Sequence, residues 1–249
     1  RYDMKTAIDV KEIWKEYVKT ESSGANLRES LLRIPRQLFK TRQEKFYALQ
    51  NVSFSLEKGE SIALVGKNGA GKSTLLKILA RITPPTRGEC IIYGKIASLL
   101  EIGTGFHPEL TGRENIFLNG SILGMKKNDI NARFDEIVEF SGVASFIDTQ
   151  LKKYSSGMQM RLAFSVAAFL NADILLIDEV FGVGDTEFQQ KSLEKLRQIS
   201  QDKGKSVIFV SHDLDILSKL TTRGILLQDG CITADTDIHS CISKYRDSF

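Results

Sequence analysis

The run Gly66-Lys67-Asn68-Gly69-Ala70-Gly71-Lys72-Ser73-Thr74 fits the phosphate-loop pattern GxxxxGK[ST]. Glycines let the backbone curl so that successive N–H groups point inward, and a helix that starts at the loop adds the positive end of its dipole. In that arrangement Lys72 reaches the β- and γ-phosphates, Ser73 gives its hydroxyl oxygen to Mg²⁺, and Thr74 hydrogen-bonds further back along the phosphate chain. The residues imply a nucleoside triphosphate and Mg²⁺ as cofactors. They leave the reaction open, because small-molecule kinases, GTPases and motor ATPases all use such a loop.

A second group of residues narrows the chemistry. The apolar stretch Ala172 to Ile177 ends in Asp178-Glu179, a Walker-B arrangement. The first carboxylate orders Mg²⁺, directly or through water, and the next faces the water that attacks the γ-phosphate, so Glu179 is the expected general base or water-positioning residue. Tyr154-Ser155-Ser156-Gly157-Met158-Gln159-Met160-Arg161 precedes a helical pattern. Ser155 and Gly157 there offer a hydroxyl and backbone N–H groups at a helix start, a second anion-binding device.

Regular elements must hold these residues in place. Ser61 to Val65 is an apolar strand leading into the loop, and Leu75 to Ala80 behind it has helical composition. Thr6 to Tyr17 and Ala48 to Leu56 carry strand patterns, the latter before the turn signal Glu57-Lys58-Gly59-Glu60. Residues 21–46 lose that alternation and collect Arg28, Arg33, Arg36, Lys40, Arg42 and Lys45 around leucines, an insertion read partly as a basic amphipathic helix. It serves either as a surface for anionic headgroups or a membrane-embedded partner, or as a solvated helix packed on the domain. Residues 104–170 read mostly helical, with clear spacing over Asp129 to Glu139 and Gly157 to Leu170. Ala172 to Glu179 and Lys205 to His212 are strands separated by the helical stretch Phe188 to Ser200, which implies a parallel sheet. Asp229-Gly230 between two apolar runs is a strong hairpin signal.

Composition bounds the reading. The 249 residues suffice for one large α/β domain or two lobes, and 42% hydrophobic and 26% charged residues are ordinary for a globular protein. A net charge of +3 gives no argument for nucleic acid. Cys90, Cys231 and Cys241 lack metal or disulfide spacing and fit a reducing compartment. No apolar run reaches the roughly 18 to 20 residues of a membrane-spanning helix. Met4 is a plausible initiator, and no repeat or Pro-rich linker interrupts the chain.

The segment Tyr154 to Arg161 resembles the signature motif of ABC ATPases, usually LSGGQxQR. The resemblance implies a head-to-tail homodimer in which each ATP lies between the phosphate loop of one subunit and Ser155, Ser156 and Gly157 of the other. It makes Asp185, in Gly182-Val183-Gly184-Asp185, the D-loop aspartate and His212 the switch histidine that contacts the γ-phosphate. Tyr47 takes the place of the adenine-stacking aromatic, with Phe46 as the adjacent alternative, and Glu101 stands where the family carries its Q-loop glutamine. Phe106, His107 and Glu109 then face the coupling helix of a membrane subunit, or form an ordinary loop turned by Pro108. The implied fold is α/β, a P-loop NTPase core with an N-terminal antiparallel β-subdomain and an inserted helical subdomain. One ABC ATPase domain covers 1–249, with core segments 1–103 and 171–249 and a helical subdomain at about 104–170.

Ser156, Met158 and Glu101 depart from the usual motifs, and together with Leu99 to Phe106, Glu109 to Asn115 and Val183-Gly184-Asp185 they resemble exporters of O-antigen and teichoic acid. This implies an ATP-hydrolysing subunit beneath two transmembrane permease subunits, at the cytoplasmic face of the bacterial inner membrane, moving a lipid-linked polysaccharide. Some of these exporters add a C-terminal carbohydrate-binding domain; this chain stops at Phe249 directly after a helical segment, so either its branch lacks that domain or the domain lies outside this sequence. The alternatives are another ABC-2 type exporter, or a soluble ABC-type ATPase without a membrane partner. The soluble relatives usually carry paired units or a long coiled coil, and this chain has neither.

Overall fold

A computed structural model describes residues 5–19, 44–99, 103, 105–178 and 184–248. The expectations for Glu101 and Glu179, and those for residues 21–43 of the basic insertion, lie outside these residues.

The long strands β1 (Thr6–Lys19) and β2 (Glu44–Glu57) pair antiparallel. Then follow β3 (Ser61–Val65), α1 (Lys72–Leu79), β4 (Arg87–Ile92) and β5 (Ile96–Ser98). Helices α2 (Gly112–Ile122), α3 (Lys127–Ser141) and α4 (Ser156–Ala168) come next. The chain continues through β6 (Ile174–Asp178), α5 (Thr186–Gln201), β7 (Ser206–Val210) and α6 (Leu214–Leu220), and finishes with β8 (Arg223–Gln228), β9 (Cys231–Asp237) and α7 (Ile238–Asp247).

A three-stranded antiparallel sheet has the order β2-β1-β4, and a six-stranded sheet the order β5-β6-β7-β3-β8-β9. The latter is parallel except for β9, which returns from β8 through Asp229 and Gly230. Their φ values of 47° and 80° suit a type I′ hairpin turn. Residues 44–46 belong to β2 rather than to the insertion, because Lys45 and Phe46 continue the ladder opposite Val18 and Tyr17.

The central strands are apolar on both faces, as strands buried between two layers must be. Ile62 and Leu64 of β3, with Ile208 and Val210 of β7, face a core shared with β1, β2 and α1. Ala63, Val65, Val207 and Phe209 face the opposite core, shared with the helices. Alternation of side chains along each strand divides them this way. Phe140 of α3 stacks on Phe164 of α4 at 6.1 Å and meets Phe188 of α5 edge-on at 5.7 Å. These rings join the helical lobe to the sheet.

Candidate nucleotide site

In the parallel sheet Asp178 and Leu64 both lie level with Val210, so β3, β6 and β7 end together at one edge. Ligands bind in open α/β sheets at this carboxyl edge. The chain leaves β3 at Val65 and enters α1 at Lys72. Gly71 caps α1 with φ 107° and no side chain over the first-turn N–H groups. A Cβ there would lie 2.5 Å from the Ala48 carbonyl oxygen, so glycine is required on two counts. Gly66 and Ala70 are buried behind the loop, whereas Lys67, Asn68 and Gly69 face outward.

A cavity of about 510 Å³ opens over this loop, lined by Lys67, Asn68, Gly69 and Gly71 and by Lys72, Ser73 and Thr74 at the start of α1. Lys72 is only 7% exposed, and its ammonium donates to the carbonyls of Gly66 and, at 3.0 Å, Lys67. Asp178 reaches the same cavity from the end of β6. A hydroxyl and a carboxylate, both hard oxygen donors, beside a phosphate loop fit Mg²⁺, which is held by few protein ligands together with phosphate oxygens and water.

Aromatic rings form the far wall. Tyr47, 46% exposed, meets Trp14 edge-on at 5.6 Å, and Phe46, 42% exposed, stacks on Tyr17 at 5.7 Å. Tyr17 lines the cavity as well. Sequence reading missed it because its relevance comes from the β1–β2 register, which sets Tyr17 opposite Phe46 across 28 intervening residues. Gln50 and Asp229, also unforeseen, line the cavity where the β8–β9 turn meets β2.

The other expected residues lie apart from this cavity. Ser155 caps α4 by accepting the Met158 N–H at 3.2 Å, and Ser155 and Ser156 are exposed. Asp185 caps α5, accepts the Phe188 N–H at 3.0 Å, and forms an ion pair with Arg161 of α4. The Arg161 guanidinium also lies 5.4 Å over the Phe188 ring, so the starts of α4 and α5 are tied together. His212 is exposed just beyond β7, at the same sheet edge as Asp178.

Residues 49–182 match the family model described as ABC transporter. The chain belongs to this family. It is an ABC ATPase, an enzyme that binds and hydrolyses nucleotide. Among its relatives, the O-antigen export system ATP-binding protein of Klebsiella pneumoniae is 39% identical over 91% of this chain and 92% of its own length. The teichoic acids export ATP-binding protein of Enterococcus faecalis is 39% identical over 96% of this chain and 52% of its own. A dimeric bacterial ABC transporter cassette superposes with a TM-score of 0.70 at 25% identity, covering 93% of this chain and 98% of that one.

In this ABC ATPase the loop containing Phe106, His107 and Glu109 is held by Asn115, a fully buried side chain. Asn115 accepts the His107 N–H at 2.7 Å and donates to the carbonyls of His107, Leu110 and Thr111. Phe106 packs on the helical core, and Glu109 pairs with Lys152 at 2.7 Å, a hydrogen bond that holds its carboxyl below the usual range. The loop thus presents a fixed surface at the edge of the helical lobe.

Proposed function

We propose that this chain is the ATP-hydrolysing subunit of an exporter that moves a lipid-linked cell-surface polysaccharide, of O-antigen or teichoic acid type, across the bacterial inner membrane. The observation that carries this reading is the end-to-end match to an O-antigen export subunit, which covers nine-tenths of both chains. Two copies bind head to tail, each ATP held between the phosphate loop of one and Ser155, Ser156 and Gly157 of the other. Two such surfaces, exposed at separate places on one chain, fit that arrangement.

The backbone of Lys67, Asn68, Gly69, Ala70 and Gly71, together with Lys72, Ser73 and Thr74, binds the phosphates, with Gly66 shaping the turn, and the aromatic wall of Tyr17, Phe46 and Tyr47 takes the base. Ser73 and Asp178, the latter directly or through water, would hold Mg²⁺, which would supply charge neutralisation at the phosphates. Glu179 is the general base or positions the attacking water, His212 is the switch histidine that contacts the γ-phosphate, Asp185 is the D-loop aspartate, and Glu101 lies in the Q-loop. Phe106, His107 and Glu109 meet a permease subunit at the cytoplasmic face of the membrane.

The test is export in the source bacterium. Deleting the gene is expected to leave the lipid-linked glycan inside the cell, with restoration by the wild-type gene and none by Lys72→Ala. Normal surface glycan in the deletion strain would overturn the assignment to polysaccharide export.

A further inference from the structure

The phosphate loop rests on the C-terminal part of the chain at three successive places. A Cβ on Gly66 would collide with the carbonyl oxygen of Leu227, so the loop's first residue lies directly on β8. The Gly230 N–H donates to the Ala70 carbonyl at 3.1 Å. Between these, the Lys67 ammonium donates to the Ser248 carbonyl at 3.1 Å, just past the last residue of α7.

Helix α7, which leads to Ser248, is seated on the core through its first half, and Tyr245 near its end packs there as well. Ile238, Cys241 and Ile242 are buried, and a Cβ on Gly224 of β8 would come within 2.7 Å of the Cys241 Cβ, so helix and strand are in close contact. Asp237 caps the helix on the Ser240 N–H, and the Ile238 N–H donates to the Thr222 carbonyl. Lys67 is therefore held at both ends, because its own carbonyl accepts from the Lys72 ammonium at 3.0 Å.

We propose that Lys67 is a positioning residue of the phosphate loop and that the C-terminal end of α7 is its anchor, so that this end sets the affinity for nucleotide. Three glycines make the loop permissive, and a permissive loop loses conformational freedom when it closes on phosphates. Fixing Lys67 from outside the cleft orders the loop before nucleotide arrives, and a preorganised site binds more tightly. The tether also keeps the ammonium of Lys67 on α7, leaving the β- and γ-phosphates to Lys72.

The experiment is a double-mutant cycle read by calorimetric titration with Mg-ATP. It uses the intact chain, Lys67→Gln, a chain lacking residues 247–249, and the combination. Each single change is expected to weaken binding about three- to tenfold, as for loss of one charge-assisted hydrogen bond at a partly exposed site. The combination is expected to be no weaker than either single change, the thermal midpoint of the shortened chain to stay unchanged, and Lys67→Arg to retain wild-type affinity. Replacing Asp247 and Ser248 by glycine loosens the same end and reads the same coupling where truncation disturbs α7. Additive losses, tighter binding, or a loss confined to Lys67→Gln would each overturn the proposal, the last by showing that Lys67 acts on the phosphates directly.

Discussion

Lys72 is almost entirely buried, and its ammonium donates to the carbonyls of Gly66 and Lys67. Truncating it removes the donor from a site with little water to replace it. Lys72→Ala is expected to weaken Mg-ATP binding by about 10- to 100-fold, the range of a lost hydrogen bond to a charged group, measurable by calorimetry. Glu179→Gln separates the steps. With the proton acceptor gone and the phosphate cradle intact, phosphate release is expected to fall to background while Mg-ATP affinity is kept; parallel loss of both would remove Glu179 from the role of base. The loop residues were legible in the sequence because their chemistry is carried by types at consecutive positions. Tyr17 was not, since only strand pairing brings it opposite Phe46.

Helix α2 shows how an element holds a functional loop. Thr111 accepts the Glu114 N–H at 3.2 Å, and Glu114 accepts the Thr111 N–H at 2.8 Å, forming a capping box. Thr111→Ala is expected to cost about 1 kcal/mol of stability, read as a lower thermal midpoint. Hydrogen bonds from Thr111 hold the Glu114 carboxyl below its ordinary value. Its stabilisation is therefore present above the ordinary carboxylate range and is lost as pH falls through the depressed value. Asn115→Ala strips the loop from His107 to Thr111 of its clamp and is expected to cost about 1 to 3 kcal/mol through unpaired buried groups. The Thr-x-x-Glu spacing at 111–114 is a local signal for α2 that sequence reading did not use, and β4 was not foreseen either, since its six residues pair along the edge of β1. Burial pushes the Cys241 thiol up to about 11. At neutral pH it is expected to resist alkylation until the protein unfolds.

At the scale of the molecule, the cleft over the phosphate loop and the exposed start of α4 lie apart on one chain. In the proposed head-to-tail arrangement a second copy would supply the other half of the site. Glu179→Gln, which is expected to hold ATP without hydrolysing it, should run as a dimer in light scattering with Mg-ATP and as a monomer without it. A monomer with ATP bound would mean that permease subunits, or a C-terminal domain outside these residues, have to hold the two copies together. Arg161 bridges the helical lobe to Asp185 and Phe188 of α5, so Arg161→Ala is expected to weaken that dimer more than it weakens ATP binding to the monomer.

The sequence by itself determined the local devices. The phosphate loop between strand and helix, the Asp178-Glu179 strand end, the serine-rich start of α4 and the Asp229-Gly230 turn each depend on neighbours along the chain. The parallel sheet was legible too, because apolar runs alternating with amphipathic helices have no other way to bury both faces. Tertiary structure decided which devices share a site. Level ends of β3, β6 and β7 bring Asp178 to the loop, while the packing of α4 on α3 and α5 keeps Ser155 away from it. It also decided that β8, β9 and α7 support the loop from behind, through contacts among residues 66–70, 227–230 and 248. Contacts across such separations follow from strand order and layer packing, which no local pattern of residue types encodes.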